Sequence, residues 1–170
     1  MKKLIMFFVA LMLFGELFAQ VKPKHRASLG KNDIIVFLNK TNDIIKEAKK
    51  IVDEHKIYTG ALLVAYNMQK QAIDSFKNGK IYTALNLSAN ARDFCYYSYV
   101  KNIQNDTPRD WHPGPKYKPF IKNTLTKVQI TNMLKNMANP QAEVDIQTDS
   151  LEYLKPIYST SKGKRRRTVF

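Results

Sequence analysis

The chain has 170 residues, with 28 Lys or Arg against 14 Asp or Glu, a formal net charge of +14 and a single cysteine. That length suits one ordinary domain with a real core, one cysteine excludes an intrachain disulfide, and the cationic surplus favours anionic partners. No nucleophile elbow, glycine-rich phosphate loop, H-x-x-x-H, C-x-x-C or acidic metal-binding loop appears, so no motif points to an enzyme, a metal or another cofactor.

Lys2 and Lys3, the apolar run Leu4 to Phe14 and Ala19 resemble a secretory signal peptide, residues 1–19, cut after Ala19. The run falls well short of the roughly twenty residues that span a bilayer, and the lone Cys95 lies too deep for a lipoprotein anchor. The expectation is an exported protein in the periplasm, at the outer membrane or outside the cell. After cleavage 151 residues of charge +13 remain, with no transmembrane segment.

Residues 20–31 (QVKPKHRASLGK) hold four Lys or Arg and no acid, with Pro23 and Gly30, and read as a basic arm. A helical domain is expected over 32–158. Asn32 or Asp33 caps the first helix, whose buried face takes Ile34, Leu38, Thr41, Ile45, Ala48 and Val52 as far as His55. In the second helix Leu62, Ala65, Gln69, Ala72, Ile73 and Phe76 share a stripe widened by Leu63 and Tyr66, and Asn78-Gly79 supplies the stop. Ile81, Ala84, Leu85, Ser88, Ala91, Arg92 and Cys95 then recur at helical spacing, placing a third helix antiparallel to the second. Cys95 reads as a small buried hydrophobe. The aromatic cluster Phe94, Tyr96, Tyr97 and Tyr99 reads as the closure of the bundle.

The segment Ala72 to Ala91, with its small residue at Ala72, turn at Gly79, Tyr82, and Ala84 and Ala91 seven apart, resembles one tetratricopeptide helical hairpin. In that family small residues let paired helices approach closely, and arrays of hairpins bind peptides. Here no second copy follows at a 34-residue period, so the resemblance implies close helix packing and no particular partner.

At Asn102 the pattern breaks. The proline-rich loop 102–119 contains Pro108, Pro113, Pro115 and Pro119, which no helix tolerates together. Its aromatics argue for an ordered strap across the bundle. Lys101, Arg109, Trp111, His112, Lys116, Tyr117, Lys118 and Lys122 form the candidate binding surface: stacking rings and cations that suit a phosphate or an acidic sugar. The alternative is a strap that Trp111 merely anchors. A catalytic use would draw on Asp110 with His112, and a metal pair on His55 with Asp53 or Glu54, neither with the ligand number a site needs.

Residues 124–138 read as a short fourth helix with Leu125, Val128, Met133, Leu134 and Met137 as buried candidates, stopped by Asn139-Pro140. Glu143, Asp145, Asp149 and Glu152 form an acidic stretch expected to fold against the basic loop, and Ser150 caps a last turn through Leu151 and Leu154. The tail 159–170 presents Lys162, Lys164, Arg165, Arg166 and Arg167 to an anionic surface. Its last residues Thr168-Val169-Phe170 resemble C-terminal PDZ ligands, making Phe170 a second candidate contact.

The fold expected is all-α: a small bundle of three main helices and a short fourth, with a proline-rich strap and a basic tail. The function expected is that of a non-enzymatic envelope protein that binds or scaffolds a macromolecular partner. Direct binding of polyanions (acidic lipid, glycan or nucleic acid) is the alternative, and a small hydrolase or metal enzyme a third.

Overall fold

A computed structural model describes residues 28–103, 111–122, 125–137, 139–146 and 151–157. The predicted leader, most of the basic arm, Asp106, Arg109, Asp110, Asp149, Ser150 and the basic tail lie outside the described residues. The elements are α1 (Lys31–His55), α2 (Ala61–Lys77), α3 (Ile81–Ile103), a single 3-10 turn (Lys118–Phe120), α4 (Lys127–Met137) and α5 (Pro140–Val144). The chain is all-α.

Gly30, rather than Asn32 or Asp33, is the residue that caps α1. Asp33 sits three residues in, and its Oδ2 accepts the Gly30 N–H at 3.2 Å, the return half of a capping box. The helix ends at Lys56, whose φ of 62° is left-handed. Gly60 and Gly79 take φ of 78° and 72° at the entry to α2 and between α2 and α3, conformations a Cβ would strain. Gly60 thus serves as the turn into α2.

The three long helices pack on one another along the predicted stripes. Leu38, Ile45, Val52, Leu62, Ala65, Leu85, Phe94 and Cys95 have no measurable exposure. Burial pushes the Cys95 thiol far above its ordinary range, so the buried-hydrophobe reading holds.

The core is divided. One apolar cluster joins Ile44–Val52, Ala61–Ala65 and Ala91–Tyr99; the other joins Ile34–Leu38, Ala72, Phe76 and Ala84–Ala89. Between them runs a buried polar layer of Thr41, Asn42, Gln69, Ser88 and Arg92. Thr41 is its hub: its Oγ1 donates to Phe37 O at 3.1 Å and accepts from Ser88 Oγ at 2.8 Å and Arg92 Nε at 2.7 Å. The Arg92 guanidinium also donates to Phe37 O at 2.8 Å and lies 4.0 Å from the Phe37 ring. Gln69 donates to Asn42 Oδ1 at 2.7 Å and to Leu38 O at 3.0 Å. Sliding any helix by a turn breaks this set, so the layer specifies register at a cost in desolvation.

The first residues of the predicted loop belong to α3. Asn102 continues that helix, and its side chain accepts from Ile57 N–H at 3.1 Å while donating to Ile57 O and Ser98 O, tying the α1–α2 connection to the end of α3.

From Trp111 the strap returns along the bundle, and its rings settle on rings of the helices. Trp111 lies 4.7 Å from Tyr99, His112 4.5 Å from Tyr96, Tyr117 4.3 Å from Phe37 and Phe120 6.3 Å from Tyr82. The partners on α3 descend from Tyr99 to Tyr82, so the strap runs antiparallel to that helix.

The fourth helix begins at Lys127, where Gln129 Oε1 accepts from the Thr126 N–H at 2.8 Å. Of its expected buried positions only Leu134 is fully covered; Leu125 and Met133 are half-buried, Val128 is 67% exposed and Met137 lies at the exposed end. Val128 is two residues from the inward-facing Ile130 and therefore on the opposite side of the helix. Asn139 opens the next helix: its Oδ1 accepts Gln141 N–H at 3.2 Å, with Pro140 as first residue of α5.

Among the described residues, the acids of this stretch do not pair with the basic loop. Glu143 is fully buried under the start of α2, its two carboxylate oxygens each 3.1 Å from Thr59 N–H. A helix N-terminus has unpaired amides and a partial positive charge, and amides at the start of α2 partly offset the burial of this carboxyl. Asp145 instead accepts from Gln141 at 2.9 Å and Glu152 pairs with Lys155. The chain then lays Leu154 into the core, and Tyr153 Oη donates to Asp74 at 2.5 Å on α2. Burial and that bond push the Tyr153 hydroxyl up to about 12.

Candidate functional site

Trp111 sets the geometry of the site. The indole is 1% exposed, wedged against Tyr99, and this fixes His112 immediately outside, its ring tilted onto Tyr96 and its Nδ1 3.6 Å from Asp93 Oδ1. Asp93 is the one acid in α3. Burial pushes its carboxyl above the ordinary carboxylate range, and the neighbouring His112 pulls it partly back.

Beside this pair an open groove of about 470 Å³ separates α3 from α4. Asp93, Tyr96 and Tyr97 form one wall, and Leu125, Lys127, Ile130 and Thr131 the other. The α3 wall is rigid, because Phe94 and Cys95 on the same turn are sealed in the core. The α4 wall is anchored by the buried Leu134, with Leu125, Ile130 and Met133 half-buried against the core. Lys101 lies 5.6 Å from the Tyr97 ring, so the rim carries Lys101, Lys127 and His112, with Asp93 further in.

Pockets of this volume hold a small ligand or one or two side chains of a partner. Tyrosines that bury an apolar face and keep a hydroxyl in reach of water are common at interfaces. Among the described residues no group of three or more His, Cys, Asp or Glu is placed to hold a metal ion, and no helix is long and apolar enough to cross a membrane.

The predicted surface residues are dispersed. Trp111 cannot stack on a ligand, because it is core. Tyr117 is held by Phe37 and by its hydroxyl, which donates to Asp33 O at 3.1 Å. Lys116 is bound to Asp33 at 2.6 Å; the contact lowers the Asp33 carboxyl and raises the Lys116 ammonium from their ordinary values. Only His112 and Lys101 touch residues that line the groove. Lys118 and Lys122 lie at the other end of the strap, beside the start of α3. Arg109 and the tail cations lie outside the described residues. The partner imagined for His112, Asp110, also lies outside them, and Asp93 is the acid His112 meets. His55 is exposed, while Asp53 and Glu54 pair with Lys49 and Lys50 one turn back.

Sequence reasoning missed Asp93, Ile130 and Thr131. A signal for Asp93 was available: a lone acid in a helix of apolar, aromatic and amide residues has to face something. Ile130 was legible only with the face of α4 known. No protein-family model, curated protein or solved structure matches the chain, so what the groove is for has to be argued from its chemistry.

Proposed function

We propose that this chain is an exported, non-enzymatic protein of the cell envelope that binds a macromolecular partner, with the groove between α3 and α4 as its contact site. The observation that carries the reading is the groove itself: an open cleft floored by Tyr96, Tyr97, Leu125 and Ile130 beside the Asp93–His112 pair. Its apolar floor accepts an anchoring side chain, and its polar rim sets orientation, the arrangement of an interface hot spot. Export is supported by the resemblance of residues 1–19 to a signal peptide.

Affinity purification of the full chain from its own cells in mild detergent tests this. The wild type and Val128→Glu, on the outer face of α4, should carry the same stoichiometric protein partner. Ile130→Glu, in the groove, should lose it while keeping the helical circular dichroism of the wild type. A monodisperse monomer without a partner, or equal recovery with all three chains, contradicts the reading.

A further inference from the structure

The first turns of α3 and the part of the strap that lies on them form a face with no acid of its own. Residues 77–92 and 114–122 contain no Asp or Glu, yet they carry Lys77, Lys80, Lys116, Lys118 and Lys122 besides the buried Arg92. Asp33 reaches in from α1 and takes Lys116. Lys80, Lys118 and Lys122 are exposed and have no acidic partner among the described residues.

Two aromatic rings stand among these cations. Tyr82 is 58% exposed, and its ring is stacked on Phe120 at 6.3 Å and 27°. The strap is pinned there by the Lys122 N–H, which donates to Asn86 Oδ1 at 2.8 Å, one turn along α3 from Tyr82. Phe120 therefore lies between Lys118 and Lys122 in sequence and beside Tyr82 in space, with Lys80 two residues before that tyrosine. Tyr82 is exposed and Phe120 half-buried beside lysines that have no acidic partner among the described residues, an arrangement that gains little from water.

Lysine stems lie along apolar surface while their ammonium groups reach outward, and tyrosine and lysine together suit the headgroup layer of a membrane. Each lysine near an anionic leaflet adds to the attraction. A nucleic acid would need open ring faces for its bases, and Phe120 covers one face of Tyr82. We propose that this face docks on an anionic lipid bilayer, with Tyr82 and Phe120 among the headgroups and Lys80, Lys118 and Lys122 against lipid phosphates. It is a second surface, independent of the groove.

The test is flotation of the full chain with phosphatidylcholine vesicles, with and without one-third phosphatidylglycerol, at low and near-physiological salt. Binding should require phosphatidylglycerol and weaken with salt. The triple variant K80Q/K118Q/K122Q should bind the anionic vesicles about a hundredfold more weakly. Because the tail is also basic, the loss is read both in the intact chain and in one with Lys162, Lys164, Arg165, Arg166 and Arg167 changed to Gln.

A Tyr82→Trp variant adds a reporter of insertion against a background from the buried Trp111: its emission should be quenched by brominated lipid. Three results overturn the proposal: vesicle binding unchanged by the triple variant in either background, Tyr82→Trp emission untouched by brominated lipid, or a triple variant that loses a single-stranded oligonucleotide and keeps the vesicles.

Discussion

The helical bundle and the segments laid over it are held by different means. α1, α2 and α3 bury eleven, eight and twelve residues each, so no single side chain decides whether they pack. The strap, α4 and the last described turn each have one fully buried side chain, Trp111, Leu134 and Leu154, with half-buried neighbours packed around it. The groove lies on the seam between the two kinds of structure, with one wall deeply buried and the other resting on Leu134 and the half-buried Leu125, Ile130 and Met133. Segments with few buried contacts open locally at lower free energy than a core does, so the groove has one fixed side and one adjustable side.

The largest effect expected from breaking that difference is at the strap. Trp111→Ala should cost about 3–5 kcal/mol in urea unfolding, as for other buried aromatics. Trp111→Phe should cost much less, because the indole Nε1 has no hydrogen-bond partner among the described residues to lose. An unchanged midpoint for the alanine variant would mean the strap does not belong to the core. Leu134→Ala should come next, at about 2–5 kcal/mol, and hydrogen exchange should show the loss confined to 127–137. Faster exchange throughout α2 and α3 would contradict this lighter attachment of α4.

Glu143 gives a pH-dependent version of the same comparison, since it ties α5 to the start of α2. Burial raises its carboxyl above the ordinary 4.5 even though amide donors pull it down. The folded chain then holds this proton more tightly than the unfolded chain. The contribution is complete below the unfolded value and is lost as pH rises through the raised folded value. The stability of Glu143→Gln relative to wild type should therefore rise as pH is brought up from about 4.5, followed by urea midpoints. Parallel profiles for the two chains would contradict the assignment. The smallest effect is expected at Val128→Lys, within about 0.5 kcal/mol; a larger loss would mean the outer face of α4 is covered.

What was legible in the sequence follows this division. Where many apolar residues recur at helical spacing, as from Ile34 to Val52 or from Ile81 to Cys95, periodicity identified the helix and its buried face. Where a segment has one fully buried residue, as α4 has, periodicity has too few points to define a face, so Val128 reads as inside and Ile130 goes unnoticed. The strap posed another difficulty, because tryptophan and lysine side by side suit a ligand surface and a packed strap equally. At two positions tertiary contacts favour packing: Tyr99 receives Trp111 and Asp33 receives Lys116. The destination of Glu143 was hidden for a related reason, since the amides it meets lie more than eighty residues away in the chain.

The most direct test of the account is site-specific photo-crosslinking in the cell, with a photoreactive side chain placed at Lys127 on the groove or at Lys46 on the outer face of α1. The account predicts one discrete crosslinked protein from position 127, lost when Ile130→Glu is added, and none from position 46. The same product from both positions, or none from position 127, would contradict it.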